Sequence, residues 1–277
     1  KLLSDGIIEE SISPWRAQVL VVQNENHKKR MCFDYSQTIN KFTFLDAFPL
    51  PNIDKHESKI AQYSFFSTLD LKSAYHQVPI KIEDKPYTAF EACGHLYQFR
   101  VIAFGLTNGV SGFQRFINGI IQKEKLEGVY SYIDDVTVCG KTQAEHDTNL
   151  AQFLAAAKKN GLTLNNDKCH FSTQTIHILG HLISGHVIKP DPDRMKPLLD
   201  LPPPKDAKSL QRFLGMFAHY SKWVPGYSAK IRPLVNCKSF PLDRKAFDCF
   251  CSLKTDIANS ALTTILTGVP LVVETDA

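Results

Sequence analysis

The sequence predicts an α+β fold in which helices back a small antiparallel sheet. Two β-rich arms within residues 129–140 flank a pair of adjacent carboxylates, which is the pattern of a hairpin. A strand pattern over residues 62–71 and apolar residues at helical spacing over 111–121 supply further elements. Hydrophobic residues make up 43% and charged residues 22% of the 277 positions. This near-average composition excludes a disordered chain, a collagen-like chain and a coiled-coil rod.

The strand over residues 62–71 is predicted from its alternation of apolar and small polar side chains, as in a half-buried strand. Residues 72–77 are predicted to form a short helix directly after it. Residues 104–109 have the composition of a loop, and they lead into the helix predicted over 111–121. The hairpin then carries two aspartates at its tip.

A capping-box pattern begins the helix that follows the hairpin, with Thr142 as N-cap and Glu145 three residues later. Asn160-Gly161 is a left-handed stop, which predicts where this helix ends. Residues 162–171 and 176–183 are predicted to form two further short strands.

Three consecutive prolines at 202–204 fix an extended backbone, and they mark the clearest linker in the chain. Asp206 is the expected N-cap of the helix that follows. One face of this helix is predicted to be buried and carries Leu210, Phe213, Leu214 and Phe217. A separate face carries Gln211, Gly215 and His219, each four residues from the last.

The net charge of +4 conceals an uneven distribution along the chain. Residues 1–184 carry 19 basic and 19 acidic side chains, whereas residues 185–246 carry 12 basic and 5 acidic ones. Residues 247–277 carry 1 basic and 4 acidic side chains. A local basic surplus indicates a contact with a polyanion, because neutralised phosphates release condensed counterions. A solvated surface helix rich in lysine explains the charge equally well.

The seven cysteines have no metal-ligand spacing, and we interpret them as reduced core thiols in a cytosol-like compartment. No apolar run approaches the roughly 18 residues that a membrane span requires, so no membrane partner is expected. The chain begins at Lys1 without a secretory leader or an initiator Met, which indicates a cut edge.

Three aspartates indicate the chemistry: Asp70 at the end of one strand, and Asp134 and Asp135 together at a hairpin tip. Adjacent carboxylates repel each other, so a site that holds two with a third nearby is typical of cation binding. Magnesium prefers hard oxygen ligands and leaves positions open for substrate phosphates, as two-metal phosphoryl transfer requires. An Asp-Asp pair alone is more often a solvated turn, but apolar residues flank this one.

These residues resemble motifs of the reverse transcriptases. Tyr132-Ile133-Asp134-Asp135 is similar to their Tyr-x-Asp-Asp box, and residues 66–78 resemble the strand that carries their first catalytic aspartate. Further matches follow in the family's order: Ser13-Pro14-Trp15, residues 30–35, Phe48-Pro49-Leu50-Pro51, Thr88-Ala89-Phe90, residues 104–108, Phe113-Gln114, residues 168–171, Leu179-Gly180-His181, Phe213-Leu214-Gly215 and residues 274–277. The likeness spans essentially the whole chain, in the pattern of gypsy-class long-terminal-repeat retrotransposon polyproteins.

The resemblance implies an RNA-directed DNA polymerase with the right-hand fold of fingers, palm and thumb. Asp70, Asp134 and Asp135 would be the catalytic residues and would hold two Mg²⁺ ions, or Mn²⁺, together with the backbone carbonyl of Leu71. The 3′-hydroxyl of a primer would attack the α-phosphate of a deoxynucleoside triphosphate, and pyrophosphate would leave.

The resemblance also implies a nucleotide site. Arg30 would grip the triphosphate, and the backbone amides of Ser73 and Ala74 are suited to the same role. Tyr75 would lie under the sugar, where its ring excludes a ribose 2′-hydroxyl, and Phe104 would lie close by. Without the family, Arg30 is an ordinary surface residue, and Tyr75 and Phe104 are packed aromatic side chains.

A template–primer contact is implied in the basic part of the chain. Leu179, Gly180 and His181 resemble the primer grip, and the helix bearing Gln211, Gly215 and His219 resembles the thumb helix along the minor groove. The basic candidates for phosphate contacts are Lys208, Arg212 and Lys222, each of which could equally be a solvated lysine or arginine.

The expected organisation is fingers and palm over residues 1–184, thumb and connection over 185–246, and the start of a tethered ribonuclease H-like domain over 247–277. Asp276 would be the first acidic residue of that nuclease, and no ribonuclease H activity is expected from this chain. The expected partners are an RNA or DNA template with its primer, deoxynucleoside triphosphates, and the ribonuclease H and integrase of the same polyprotein. The expected location is the cytoplasm, within virus-like particles. The chain departs from the family in its fingers and in the loop beneath the nucleotide, at residues 24–27, Ser36, Ala103 and Val110.

Two other functions remain open. A degenerate element remnant would bind template and primer without copying, and a generic two-metal nuclease or phosphatase would cleave its substrate and have no use for Tyr75 or the thumb helix. Magnesium-dependent primer extension separates all three.

Overall fold

The computed structural model describes residues 1–23 and 29–263, the last two by their backbone alone. Its strands are β1 (Ile8–Glu10), β2 (Gln18–Gln23), β3 (Lys29–Asp34), β4 (Phe65–Asp70), β5 (Phe90–Ala92), β6 (His95–Phe99), β7 (Val129–Tyr132), β8 (Asp135–Gly140), β9 (His170–Thr173), β10 (Thr175–Ile178), β11 (His181–Ser184), β12 (Val187–Pro190) and β13 (Leu262–Thr263). Its α-helices are α1 (Ile39–Phe42), α2 (Ile53–Ile60), α3 (Gly109–Lys123), α4 (Gln143–Lys159), α5 (Pro192–Leu199), α6 (Ala207–Ala218), α7 (Tyr227–Val235) and α8 (Arg244–Ala258). Short 3₁₀ helices lie at Ala74–Gln77, Ile82–Thr88, Asn166–Lys168 and Ser221–Trp223.

The chain divides into two compact units. Unit 1 consists of residues 1–52 and 66–173, and unit 2 consists of residues 53–65 together with the described residues from 174 onward. Helix α2 therefore folds with the C-terminal part of the chain. The expected boundaries at residues 184 and 246 separate fingers and palm, thumb, and the start of a ribonuclease H-like domain. These boundaries stay a prediction.

The central sheet of unit 1 has the strand order β7-β8-β4-β9. Helix α3 packs against β7 and helix α4 against β8, and their side chains Phe113, Ile117 and Phe153 are fully buried in a core shared with apolar residues of β4, β7 and β8. Burying one such side chain stabilises a fold by about 1.5–3 kcal/mol. This arrangement confirms the α+β prediction of a small sheet backed by helices.

The predicted hairpin is confirmed. Strands β7 and β8 are antiparallel, with Tyr132 paired to Asp135, so Ile133 and Asp134 form the two-residue loop. The predicted helix over 111–121 begins two residues earlier and ends two residues later, as α3. Helix α4 lies where its capping signals place it, since the Thr142 hydroxyl accepts the N–H of Glu145.

The remaining unit 1 strands form a three-stranded sheet in the order β1-β6-β5 and the separate hairpin of β2 and β3. The hairpin carries Leu20, Val21 and Met31 on its exposed surface. The family departure at residues 24–27 lies outside the described residues.

Four local predictions were wrong in extent or type. Strand β4 covers only Phe65–Asp70 of the predicted 62–71, and the helix expected over 72–77 is a single 3₁₀ turn. The strand expected over 162–171 is interrupted, because Asn165, Asn166 and Asp167 favour a turn there. The strand expected over 176–183 is a hairpin of β10 and β11, because Leu179 and Gly180 both have positive φ, at 51° and 93°.

A buried hydrogen-bonded chain ties the central sheet to helix α4. The Oγ atom of Ser67 lies 2.8 Å from Nε2 of His146, whose Nδ1 atom lies 3.0 Å from a carboxylate oxygen of Asp147. Ser67 and His146 are fully buried, so no substrate reaches this hydroxyl and the chain is structural.

Unit 2 combines the antiparallel sheet β10-β11-β12-β13 with helices α5 to α8. The Phe213 ring packs at a tilt against Phe217 and Phe250 in its core, with ring centroids 4.0 and 4.7 Å apart, respectively. Asp206 is the N-cap of helix α6, as the sequence predicts, and it forms a full capping box with Ser209. The prolines 202–204 are neither helix nor strand, but they join two helices of one core rather than two domains.

The cysteine prediction was only partly right. All seven thiols are free, but only Cys139 is buried in the core, whereas Cys32, Cys93 and Cys251 are exposed. Burial raises the pKa of the Cys139 thiol and keeps it protonated. In the described part of the chain, no helix is both long and apolar enough to cross a bilayer.

Candidate active site

The three predicted aspartates lie at adjoining ends of neighbouring strands in unit 1. Asp70 is the last residue of β4, and Asp135 is the first residue of β8, its neighbour in the sheet. Asp134 precedes Asp135 in the two-residue loop. The fold therefore brings together carboxylates that are 64 positions apart in the sequence.

Electrostatics show that the three carboxylates share one region. Desolvation, and then the negative charges of Asp135 and Asp70, raise the pKa of Asp134. Desolvation and the charge of Asp70 likewise raise the pKa of Asp135. The cationic side chain of Lys168 opposes both shifts, and its Nζ atom lies 3.4 Å from an Asp70 carboxylate oxygen. The site therefore concentrates negative charge that one lysine only partly offsets.

The loop that carries Asp134 is held in an unusual backbone conformation. Ile133 has a φ of 53°, in the left-handed region that a β-branched residue rarely adopts. Its N–H donates to Oε1 of Gln114 at 2.7 Å. The Gln114 amide group in turn donates to the carbonyl oxygen and hydroxyl of Ser131 and to Asn118, and Gln114 is fully buried. The strained turn is therefore fixed by a side chain of α3.

The Leu71 carbonyl does not take part in the hydrogen bonds that join its segment to the segment around Leu164. Leu71 and Leu164 form an isolated antiparallel bridge, whose hydrogen bonds run from Asn165 N–H to the Asp70 carbonyl and from Lys72 N–H to the Thr163 carbonyl. Leu71 itself makes neither bond. Its carbonyl is thus suited to the ligand role that the resemblance implies.

The donor set fits a divalent metal. Three carboxylates and a carbonyl are the hard oxygen ligands that magnesium prefers. Oδ1 of Asp134 is buried without a hydrogen-bond partner, which is costly unless a cation or water satisfies it. Within residues 1–23 and 29–261, no group of three His, Cys, Asp or Glu side chains is already close enough to hold an ion.

The aromatic residues predicted for the nucleotide site lie beside these carboxylates. The rings of Tyr75 and Phe104 meet edge to face, with centroids 5.0 Å apart. Desolvation and the charge of Asp134 raise the pKa of Tyr75 to about 12, so its hydroxyl stays protonated. Tyr75 is buried, as its core interpretation predicts, whereas Phe104 is 46% exposed. Together they form an aromatic wall next to the carboxylates.

The other predicted nucleotide residues are less closely grouped. Ser73 and Ala74 stand at the start of the 3₁₀ turn, where Ser73 has a φ of 50° and its carbonyl accepts the N–H of His76. Arg30 is exposed on β3, opposite Val22 in the hairpin.

The predicted primer-grip residues occupy a tight turn in unit 2. Leu179 and Gly180 both have positive φ, as in a type I′ turn, and they join β10 to β11. The guanidinium group of Arg194 covers this turn, because a Cβ added at Gly180 would lie 3.0 Å from an Arg194 nitrogen. His181 is buried, and its Nδ1 atom lies 2.6 Å from Oε1 of Glu57.

The predicted thumb-helix residues are on the exposed face of α6 or just beyond it. Lys208, Gln211, Arg212, Gly215 and His219 are all exposed. Gly215 has nothing within 4 Å of an added Cβ, so its surface is open to a close partner. Lys222 differs, because its Nζ atom lies 2.6 Å from a carboxylate oxygen of Asp54.

Sequence reasoning missed three residues that the geometry makes important: Gln114, Lys168 and Arg194. Gln114 and Lys168 stand inside matched motifs, but only the fold shows which groups they hold. Arg194 follows the capping residue Asp191 of α5, and no sequence signal links it to Gly180.

Comparison with known proteins assigns this arrangement to a family. Residues 22–183 match the family described as "Reverse transcriptase (RNA-dependent DNA polymerase)". The chain belongs to the reverse transcriptase family, so the family that its motifs predict is confirmed. Members of this family generally use divalent metal ions.

Within that family, the relatives are retrotransposon polyproteins. The chain is 35% identical over 241 residues to the Pol polyprotein of transposon opus from Drosophila melanogaster, covering 85% of this chain and 24% of the relative. It is 29% identical over 242 residues to the polyprotein of transposon gypsy from the same species, covering 85% of this chain and 23% of the relative. It is 31% identical over 234 residues to the Tf2-3 polyprotein of Schizosaccharomyces pombe, covering 84% of this chain and 18% of the relative. The predicted gypsy-class resemblance is confirmed, and the chain spans about a quarter or less of these polyproteins.

Solved structures confirm the fold. The foamy viral protease-reverse transcriptase in complex with double-stranded DNA aligns with a TM-score of 0.83 at 20% identity, covering 97% of this chain and 57% of the viral chain. The same viral protein in complex with an RNA/DNA hybrid aligns with a TM-score of 0.73 at 19% identity, covering 94% and 36%. The predicted right-hand polymerase class is therefore confirmed.

Proposed function

We propose that this chain is the polymerase unit of a retrotransposon polyprotein, adding deoxynucleotides to a primer 3′ end on an RNA or DNA template. The observation that carries the proposal is the electrostatic coupling of Asp70, Asp134 and Asp135 beside the Tyr75–Phe104 wall. Family membership supports the same reaction.

The carboxylates of Asp70, Asp134 and Asp135 and the carbonyl of Leu71 would hold two Mg²⁺ ions, with Mn²⁺ as a substitute. When bound, the ions would lower the pKa of the primer hydroxyl and neutralise charge on the attacked α-phosphate and the leaving pyrophosphate. Gln114 holds the Ile133 turn, so Asp134 is positioned before substrate arrives. Positioning and charge neutralisation supply most of the rate in such chemistry.

The aromatic wall accounts for sugar selection in this proposal. The Tyr75 ring packs against Phe104 at 5.0 Å and against Phe113 at 5.5 Å, so it cannot turn aside for an extra hydroxyl. Ribonucleotides are therefore excluded by shape. Arg30, with the amides of Ser73 and Ala74, is proposed to bind the triphosphate of the incoming deoxynucleotide.

The template–primer duplex is proposed to lie along unit 2 at two surfaces. One is the Leu179–Gly180 turn with Arg194 over it, and the other is the exposed face of α6. The basic surplus of residues 185–246 favours phosphate contacts, which position a duplex without reading its sequence. The relatives' structures bound to double-stranded DNA and to an RNA/DNA hybrid support this partner.

The polyprotein context is also a proposal. The relatives are Pol polyproteins, so the chain is proposed to act with the ribonuclease H and integrase of the same polyprotein, in cytoplasmic virus-like particles. The proposed nuclease residue Asp276 lies outside the described residues.

Primer extension tests the proposed function. A labelled DNA primer on an RNA template, with four deoxynucleoside triphosphates and Mg²⁺, should be extended to the template end. Binding without extension would support the degenerate remnant instead, and cleavage of the template–primer without extension would support a nuclease.

A further inference from the structure

Helix α2 contacts the rest of unit 2 through residues along one face and at its C-terminal end. Asp54 and Glu57 are three positions apart, so they lie on one face of the helix, and Ala61 follows directly after its end. The Ala61 carbonyl accepts the N–H of His186, at the turn between β11 and β12. Three successive points along α2 therefore hold different parts of unit 2.

The central contact is a buried ionisable pair. Oε1 of Glu57 lies 2.6 Å from Nδ1 of His181, and the two residues are 2% and 7% exposed. Taking such groups out of water is costly, and the cost is offset only by well-formed mutual hydrogen bonding. His181 is also the first residue of β11, directly after the Leu179–Gly180 turn. The pair therefore fixes the backbone at the base of that turn.

The second contact joins the same helix to the segment beyond α6. The Asp54 carboxylate meets Nζ of Lys222 at 2.6 Å, and Nζ lies 5.4 Å from the centre of the Trp223 ring. The Lys222 ammonium group and, more weakly, the His181 side chain lower the pKa of Asp54. The Trp223 ring is buried and packs against the His181 ring at an interplanar angle of 40°, with centroids 5.2 Å apart. Trp223 thus connects the two contacts into one cluster.

We propose that Glu57 is a positioning residue for template–primer binding, which through His181 and Trp223 fixes the Leu179–Gly180 turn relative to the end of the thumb helix. The proposal rests on the proposed duplex contact of that turn and of α6. It also assigns His181 and Lys222 to this cluster rather than to direct contact with nucleic acid. The two nucleic-acid surfaces are then set by helix α2, which itself touches no phosphate.

Binding of a labelled RNA/DNA hybrid in EDTA, followed by fluorescence anisotropy, tests the role of Glu57. Glu57→Ala leaves His181 without its buried partner, and we expect it to weaken hybrid binding by about tenfold. Glu57→Gln keeps the volume and a hydrogen-bond acceptor, and it should bind within about twofold of the unchanged chain. If Glu57→Ala yields no folded protein, Glu57→Met, which is similar in volume, takes its place with the same expectation.

A matched control separates positioning from general destabilisation. The Asp256 carboxylate meets Nζ of Lys230 at 2.6 Å and joins α7 to α8 in the same unit. Asp256→Ala should lower the melting temperature but leave hybrid affinity within about twofold, because surface pairs of this kind act locally. Equal losses of affinity in Glu57→Ala and Asp256→Ala at equal loss of stability would overturn the proposal.

The fluorescence emission of a tryptophan in the folded protein reports its surroundings, and loss of stability alone does not change it. The chain has two tryptophans, so Trp15→Phe leaves Trp223 as the reporter. In that background, Glu57→Ala should shift Trp223 emission in the folded protein at a temperature far below melting, because the His181 ring leaves its position against the Trp223 ring. Unchanged emission would contradict the cluster.

Failure of this inference can be told from failure of the proposed function. If the unchanged chain binds no hybrid, the duplex contact itself is wrong. If the unchanged chain binds and every Glu57 variant binds equally well, only the positioning role is wrong.

Discussion

Gln114 accepts the backbone N–H of Ile133 at 2.7 Å and thereby holds the left-handed residue that precedes the two catalytic aspartates of the proposed site. The bond joins helix α3 to the loop between β7 and β8. Both partners lie inside unit 1, and Gln114 is fully buried. The position of Asp134 thus depends on a neutral amide rather than on another charged group.

Replacing Gln114 tests this dependence. Gln114→Ala removes the acceptor of Ile133 and the donor to Ser131, and each buried group left unpaired costs about 1–3 kcal/mol of unfolding free energy. We expect a lower melting temperature and a fall in primer-extension kcat of about tenfold or more. Gln122→Ala, an exposed glutamine on the same helix, is the control. Equal kcat in the two variants would mean that the Ile133–Asp134 turn keeps its conformation without Gln114.

Metal binding should stabilise the folded chain through the aspartates. Mg²⁺ relieves the repulsion among Asp70, Asp134 and Asp135, so millimolar MgCl₂ should raise the melting temperature measured by differential scanning fluorimetry. Asp134→Asn removes one ligand and one repelling charge. In EDTA, the melting temperature of this variant should equal or exceed that of the unchanged chain, and Mg²⁺ should raise it by less. An identical rise in melting temperature in both proteins would mean that the ion does not bind at Asp134.

Sugar selection should depend on the size of the Tyr75 ring and not on its hydroxyl. Tyr75→Phe keeps the ring that packs on Phe104 and should retain selection for deoxynucleotides. Tyr75→Val opens the wall and should raise the kcat/KM for ribonucleotides relative to deoxynucleotides by about tenfold or more. Single-nucleotide incorporation kinetics measure this ratio, and an unchanged ratio in Tyr75→Val would remove Tyr75 from the sugar site.

Arg194 should contribute a phosphate contact at the Leu179–Gly180 turn. Arg194→Ala is expected to weaken hybrid binding and to reduce the slope of log Kd against log salt concentration by about one ion. Lys196→Ala, an exposed basic residue two positions along the same helix, is the charge-matched control. If both variants change the slope equally, the effect is one of general charge rather than of the turn.

Local patterns predicted the elements that depend on short-range signals. The Asp134-Asp135 hairpin, the capped helix α4 and the N-cap Asp206 agree with the sequence because side-chain periodicity and caps act within a few residues. The segment 162–171 was predicted wrongly because its apolar residues resemble a strand, while three Asn and Asp residues in succession stabilise a turn. The turn at Leu179 was missed because a leucine with positive φ has no sequence signature.

The site was predictable only as far as its motifs extend. The three aspartates are visible in the sequence. In contrast, Gln114 is 19 positions from Ile133, Lys168 is 98 positions from Asp70, and Arg194 is 14 positions from Gly180 on another element. Glu57 and His181 are 124 positions apart, and neither residue alone predicts a buried pair. Long-range partners of this kind are set by tertiary packing, which no local pattern encodes.

The most direct test compares the unchanged chain with Asp134→Asn in one primer-extension assay, with hybrid binding measured on the same samples. We expect Mg²⁺-dependent, full-length DNA on an RNA template from the unchanged chain, and no extension from Asp134→Asn with hybrid affinity preserved within about twofold. Persistent synthesis by folded Asp134→Asn, or no synthesis by an unchanged chain that is folded and binds the hybrid, would contradict this expectation.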